Sequence, residues 1–174
     1  MKIKVFLFTL TSFLILSLAA KAQFSLAEGT QITMADDSRK NIEKLLVNDV
    51  VLVFNDKEKV YEEKKVKSLR KVMHSRLIRI TVETGVQLTM TIDQPFLAEK
   101  GWVSVDAEFT RENNKYSSVQ GCKVGEFALY YNVTSTDYVE VSIIQGILEP
   151  MQTYIVDLEG DGAIVANGFL VGQN

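Results

Sequence analysis

Apolar and polar positions alternate in short runs along most of the chain, which is the pattern of β-strands. Six segments are rich in β-branched and aromatic residues and are bounded by polar or glycine-containing turns. They are residues 50–54, 77–82, 86–92, 127–131, 138–144 and 154–158. The only helical pattern covers residues 37–46, so we predict an all-β fold of about ten strands.

The first 22 residues depart from this pattern and have the features of an export signal. Lys2 and Lys4 precede a long apolar run, and the small-x-small sequence from Ala20 to Ala22 fits removal before Gln23. The alternative is a single membrane anchor, since the apolar run is close to the ~18 residues that a span needs. We predict a signal peptide over residues 1–22 and an exported domain, periplasmic or secreted, over residues 23–174.

Charge narrows the classes of partner. Removal of the signal takes away three lysines and no acid, so the net charge changes from −3 to −6. Such a domain has no electrostatic basis for binding nucleic acid or anionic lipid, so we expect no nucleic-acid partner and no membrane contact after signal removal. Cys122 is the only cysteine, which leaves no internal disulfide, and we interpret it as a small core residue rather than a reactive thiol.

The inventory of chemical groups excludes most metal and triad chemistry. A zinc site normally recruits several histidines or cysteines, and His74 is the only histidine. A serine triad could be built only through His74, which we interpret as a surface residue between two strands. No glycine-rich phosphate loop is present, and we expect no cofactor and no metal.

A weak internal repeat adds to the strand pattern. Residues 47–55 align without gaps on residues 124–132, with a turn, an acid, a strand and a polar exit in the same order. Further on, residues 66–69 correspond to residues 141–144. Chance is the competing explanation for so short a match. The repeat predicts two related β halves.

Three blocks in order carry a resemblance to a known family. The first begins at Ser25, continues through Gly29-Thr30 and ends with Asn48-Asp49-Val50-Val51. The second runs from Leu88 through Thr91-Ile92-Asp93-Gln94-Pro95-Phe96 to Gly101-Trp102, and the third comprises residues 154–158 and 165–171. Together they resemble the Hint family of hedgehog and intein self-processing domains across residues 25–174. The resemblance implies a Hint fold, a pseudo-two-fold duplicated antiparallel β domain.

The resemblance also implies a site for the first step of self-processing. In the family, a Cys or Ser at the first position attacks the peptide bond before it, and the histidine of Thr-x-x-His assists the departing nitrogen. Ser25 holds the first position, Thr91 and Asp93 lie in the second block, and Gln94 stands where the histidine should be. Glutamine cannot transfer a proton, and such transfer is typically worth about 10²–10⁴ in rate. We therefore expect the first step to be crippled.

The final step of protein splicing is expected to be lost as well. Splicing members end in His-Asn, and the ungapped alignment puts Gly172 and Gln173 there, whereas a one-residue slip brings Gln173 and Asn174 into register. The sequence ends at Asn174, so we expect nothing to be spliced.

Two functions remain. The first is an exported Hint domain with a degenerate active site that binds an unknown protein or cell-surface ligand, or acts as a scaffold. The second is residual self-cleavage before Ser25 by an acyl shift. We favour the first, and the sequence indicates no oligomeric state.

Overall fold

A computed structural model describes residues 23–174, and the predicted signal at residues 1–22 lies outside the described residues. Strands dominate the described part, and no helix in it is long and apolar enough to cross a bilayer. The strands are β1 Leu26–Ala27, β2 Gln31–Thr33, β3 Arg39–Asn41, β4 Val50–Asn55, β5 Val60–His74, β6 Leu77–Val82, β7 Gln87–Thr91, β8 Phe96–Ala98, β9 Gly101–Ser104, β10 Gln120–Gly121, β11 Phe127–Tyr131, β12 Thr136–Ile147, β13 Met151–Leu158, β14 Ala163–Ala166 and β15 Phe169–Val171. The helices are α1 Ala107–Asn113 and a 3-10 turn at Ile42–Lys44.

The strands form one continuous hydrogen-bonded sheet, in which every described pair is antiparallel except β9 with β10. β4 and β5 form one hairpin, and β11 and β12 form another. Beyond its hairpin, β5 pairs with β13, while β12 pairs with β6. Because β6 follows β5 and β13 follows β12, the two halves exchange strands. The predicted duplicated antiparallel fold is confirmed.

The internal repeat corresponds to matching backbone geometry in the two halves. Asn48 and Gly125, which the repeat aligns, both have positive φ, at 72° and 88°. Their N–H groups donate to the carbonyls of Val66 and Val141 at 2.8 and 2.9 Å, respectively. Val66 and Val141 are also aligned with each other, and both are almost completely buried. The repeat therefore reflects duplicated structure rather than chance.

The acid that follows each of these turns has the same role in both halves. The carboxylate of Asp49 accepts a hydrogen bond from the Leu46 N–H at 2.7 Å. The carboxylate of Glu126 accepts one from the Lys123 N–H at 3.1 Å. Each carboxylate also forms an ion pair with a lysine from a neighbouring segment. These bonds hold the chain reversal that starts each hairpin.

The main hydrophobic core joins the two halves, since it draws side chains from both. Its fully buried members include Ile32, Ile80, Leu88, Val141 and Phe169. A smaller cluster packs around β4, β8, β14 and β15. Burial of this kind is the dominant stabilising contribution in a domain of this size.

The helix predicted over residues 37–46 is wrong. Asp37 has a φ of 63°, β3 pairs with β2, and helical geometry is confined to the single 3-10 turn. Short helices are marginal in water, so pairing with the available edge of β2 prevails.

The prediction missed α1 and several strands. The side chain of Asp106 caps α1 by accepting a hydrogen bond from the Phe109 N–H at 3.2 Å. The strand count exceeds the prediction because strands of two or three residues, such as β1 and β10, are too short to show a period.

The duplicated turns predict a matched set of stability changes. Gly125→Ala should cost about 1–2 kcal/mol, because a left-handed backbone brings Cβ close to the next carbonyl. Asn48→Gly at the equivalent position should change stability by only a few tenths of a kcal/mol, at most about 0.5. Urea unfolding measures both. Gly146→Ala, in β12 and without positive φ, is the control and should not destabilise. Equal effects at Gly125 and Gly146 would contradict a left-handed backbone at Gly125, and a large loss in Asn48→Gly would contradict the equivalence of the two turns.

Candidate functional site

Ser25 lies where the two halves meet. It precedes β1, in which Leu26 is opposite Met90 of β7 and also opposite Tyr154 of β13. The Ser25 N–H donates to the Thr91 hydroxyl at 3.3 Å, and the Thr91 N–H donates to the Ser25 carbonyl at 3.0 Å. The first and second sequence blocks are therefore joined by backbone pairing.

The hydroxyl of Ser25 is buried and unpartnered within the described residues. Ser25 is 1% exposed, and its Oγ has no hydrogen-bond partner there. A serine hydroxyl is a weak nucleophile unless an adjacent base takes its proton. Within the described residues, no group accepts a proton from the Ser25 hydroxyl through a hydrogen bond.

The side chain of Gln94 bridges two backbone carbonyls through hydrogen bonds. It is 2% exposed, and its Nε2 donates to the carbonyls of Pro95 at 3.1 Å and Gly172 at 2.9 Å. The Gly172 N–H in turn donates to the Pro95 carbonyl at 2.8 Å. The Gln94 amide therefore links the residue that follows β15 to the second sequence block.

Gly172 and Gln173, the two candidates for the penultimate family position, both make close contacts with neighbouring residues. A Cβ added to Gly172 would lie 2.5 Å from the Tyr116 hydroxyl and 2.8 Å from Pro95 Cγ, so a histidine does not fit there without displacement of both. The Gln173 N–H donates to that Tyr116 hydroxyl at 3.0 Å, and its Nε2 donates to the Gly162 carbonyl at 2.8 Å.

Asn174 holds the peptide bond that precedes Ser25. Its Oδ1 accepts a hydrogen bond from the Phe24 N–H at 2.8 Å, and its Nδ2 donates to the Phe24 carbonyl at 3.1 Å. Phe24 is 2% exposed, and its ring packs against Tyr116 with centroids 5.7 Å apart. The Tyr116 ring also packs against the Trp102 ring, with centroids 4.8 Å apart. The residue before Ser25 is thus held by backbone and side chain alike.

Asp93 lies between Thr91 and Gln94 but faces a separate pocket. Burial raises the pKa of its carboxyl, and hydrogen bonds and the nearby charges of Arg76 and His74 partly offset this. The backbone carbonyl of Asp93 accepts a hydrogen bond from the Thr110 hydroxyl of α1 at 2.8 Å. The missed helix therefore supports this segment.

Cys122 lies in the core, as the sequence predicted, whereas His74 is less exposed than the predicted surface residue. His74 is half-buried rather than a free surface residue, and burial lowers its pKa. Cys122 is buried, and burial raises the pKa of its thiol to about 12, which suits a core residue. Within residues 23–174, no group of three or more His, Cys, Asp or Glu residues could hold a metal ion.

Of the six residues that the family resemblance indicates, the structure brings Ser25 and Thr91 into contact, and Asn174 contacts Phe24 directly before them. Gln94 bonds to Gly172, the Gln173 side chain bonds to Gly162, and Asp93 faces a separate pocket. Sequence reasoning did not find Phe24 and Tyr116, the two aromatic residues that contact them. Tyr116 lies in a polar stretch between α1 and β10, where an isolated aromatic residue was the only signal.

Solved intein structures share this fold. A DnaB intein from Synechocystis sp. PCC 6803 has a TM-score of 0.72 and 15% identity over 87% of this chain and 99% of that chain. The gp41-1 intein has a TM-score of 0.64 and 17% identity, over 88% and 100%. A bacterial intein-like domain from Clostridium thermocellum has a TM-score of 0.65 and 18% identity, over 86% and 98%. No protein-family model and no curated protein matches the sequence. The chain has a Hint/intein-like fold.

The unpartnered hydroxyl predicts an unusual result for Ser25→Ala. A buried polar atom without a hydrogen bond costs about 1–3 kcal/mol, so its removal should leave stability unchanged or raise it. Thr91→Val has the opposite expectation, because it removes the acceptor of the buried Ser25 N–H and should cost about 1–3 kcal/mol. Urea unfolding at neutral pH compares the two variants. A loss of more than about 1 kcal/mol in Ser25→Ala would show that the hydroxyl has a hydrogen-bond partner.

Proposed function

We propose that this chain is an exported Hint-fold domain that has lost self-processing and acts as a binding or scaffold module. The observation that carries the proposal is the buried Ser25 hydroxyl without a base. Gln94 supports it, because its side-chain amide is already donated to two carbonyls and cannot transfer a proton. The packing at Gly172 supports it too, because it leaves no room for a histidine.

A cleavage assay tests the loss of activity. A reporter is fused ahead of Gln23, so that the buried Phe24 and its contacts are preserved. We expect no release of the reporter above background, with or without added thiol or hydroxylamine, since either would capture an ester formed at Ser25. Groups that act as one catalytic unit lose most of their joint effect when one is removed.

The matched variant Ser25→Cys/Gln94→His serves as the positive control. Thiolate is a better nucleophile than a serine hydroxyl, and histidine restores the proton donor at the family position. This variant should regain some thiol-induced cleavage, which shows that the geometry of the site persists. Efficient release by the unmodified protein would overturn the proposal.

Residual self-cleavage is the second candidate, and one contact favours it. Asn174 Nδ2 donates a hydrogen bond to the Phe24 carbonyl, which is the bond that Ser25 would attack. A donor at that oxygen stabilises the negative charge that develops during attack. The same assay decides between the candidates, because slow release that depends on Ser25 and Asn174 supports cleavage.

Exposed apolar side chains on the second hairpin support a binding role. Tyr138 of β12 is 52% exposed, Phe127 of β11 is 40% exposed, and Leu129 is opposite Tyr138 in the ladder. Exposed apolar patches often mark sites of protein contact. The envelope location, the binding role and the nature of the ligand are part of the proposal.

A pull-down with the exported domain tests binding. We expect a protein or polysaccharide of the cell envelope to be retained by the native domain and lost with Phe127→Glu/Tyr138→Lys. Leu148→Glu, at a 95% exposed residue of the connection between β12 and β13, is the control and should retain it. Equal retention by both variants would remove the second hairpin as the binding surface. Recovery of the chain from membranes with residues 1–22 intact would contradict export with cleavage before Gln23.

A further inference from the structure

A pocket of about 260 Å³ opens beside the Ser25 site where the described chain begins. Its walls include the first described residue, the only histidine and a buried acid. The residues used below are Gln23, His74, Arg76, Thr91, Asp93 and Phe109. Thr91 and Asp93 of the second sequence block line this pocket, but no step described above places a ligand in it.

The path of the chain into the pocket is fixed by three contacts. The Ser25 N–H bonds to Thr91, and the Phe24 N–H bonds to Asn174. The side-chain carbonyl of Gln23 accepts a hydrogen bond from Arg70 Nη1 at 3.1 Å. These contacts fix the chain from Ser25 back to Gln23, and Gln23 therefore has a defined position on the pocket wall.

Asp93 is the group in this pocket that lacks a partner of opposite charge. It is 5% exposed, and none of the ion pairs within residues 23–174 includes it. Arg76 is nearby, but its guanidinium bonds to Asp106 at 2.8 Å and lies over the Phe109 ring at 4.9 Å. Hydrogen bonds, one of them with Thr91, offset only part of the cost of burying the Asp93 carboxylate. A buried carboxylate is stabilised further by an ion pair, so the pocket favours a cation at this point.

We propose that this pocket receives the α-ammonium group that signal removal creates on Gln23, and that this group forms an ion pair with Asp93. The inference rests on the export that we propose above. Hydrolysis of the Ala22–Gln23 bond by a signal peptidase consumes one water and leaves a carboxylate on Ala22 and an amine on Gln23. At neutral pH the amine takes up a proton and becomes the cation. While Gln23 is still joined to Ala22, its nitrogen is an uncharged amide.

Cleavage would therefore complete the folded domain only after export. The ion pair links the start of the mature chain to the segment that carries Thr91 and Gln94. An uncleaved chain would keep Asp93 buried without its cation, and its domain would be less stable than the mature form.

The ion pair has a defined pH window. An α-amine has an ordinary pKa of about 7.7–8.0, and pairing in the folded state raises it. A raised pKa contributes stability that is fully present below the ordinary value and is lost as pH rises through the raised value. At the acid end the contribution is lost when Asp93 takes up a proton. The other charged or titratable groups around the pocket are His74, Arg76, Asp106 and Arg70.

The test compares four proteins in a two-by-two design. Residues 23–174 contain both exchanged halves and the whole described core, so the domain is prepared with a start at Gln23 or with an Nα-acetylated Ala22 retained, which carries no charge. Each is made with Asp93 or with Asp93→Asn. The two readouts are the pKa of the α-amine by NMR and the equilibrium constant of urea unfolding at pH 6.5 and pH 10. N-terminal glutamine can lose ammonia to form a ring without charge, and mass spectrometry identifies that form as a further uncharged control.

We expect the Gln23 start to raise the amine pKa by about one unit, which corresponds to about a tenfold gain in folding equilibrium at pH 6.5. The gain should disappear at pH 10, in Asp93→Asn, in the ring form and when Ala22 is retained. An ordinary amine pKa in the Asp93 protein overturns the proposal, and this readout does not depend on any variant folding.

Two further results separate this proposal from others. If the Ala22-retaining protein binds added ethylamine through Asp93 while the native start shows no shift, the occupant is a separate amine, which overturns the proposal. If cells yield only the uncleaved chain, the proposed signal removal is wrong, whereas the four prepared proteins still report on the ion pair.

Discussion

The pairing of β1 with both β7 and β13 is the contact on which the rest of the site depends. β7 belongs to the first half and β13 to the second, and Leu26 is opposite a residue of each. Because the halves exchange their long strands, this seam lies inside the core rather than at an edge. Ser25 and Thr91 are consequently placed by sheet registry, which is a rigid means of positioning.

The neighbours of Ser25 are held by buried hydrogen bonds, whereas its own hydroxyl has no hydrogen-bonded base within the described residues. The contacts of Gln94 and Gly172 are structural. Gln94 Nε2 donates to two backbone carbonyls, and Gly172, which has no Cβ, allows Tyr116 to pack closely. These contacts are the basis of our proposal that the domain has lost self-processing.

Much of the fold could be predicted from the sequence. Strands β6 and β11 match the predicted segments residue for residue, because both are short runs of β-branched, aliphatic and aromatic residues bounded by turns. β5 was not predicted, because its many consecutive charged residues hide the period of two that marks a strand. This strand extends beyond its hairpin with β4 to pair with β13 of the other half. Residues 37–46 were misread because the helical pattern carries no information about the edge of β2.

The site was predictable only in part, because several of its contacts join residues that are far apart in sequence. The resemblance supplied Ser25, Thr91, Gln94 and Asn174 as family positions. It could not supply the contact of Asn174 with Phe24, which joins residues 150 apart in sequence. The pocket around Asp93 was equally hidden, because His74 and Gln23 reach it from separate elements.

We propose that the bond between Phe24 and Ser25 is held in place by Asn174 but is not attacked by Ser25. It can be measured by NMR on protein labelled with ¹³C at phenylalanine carbonyls and ¹⁵N at serine. The one-bond coupling between the Phe24 carbonyl carbon and the Ser25 nitrogen exists only while the bond is an amide. We predict that the full population retains this coupling through prolonged incubation at neutral pH. Loss of the coupling, with an ester signal for the Phe24 carbonyl, would contradict the account.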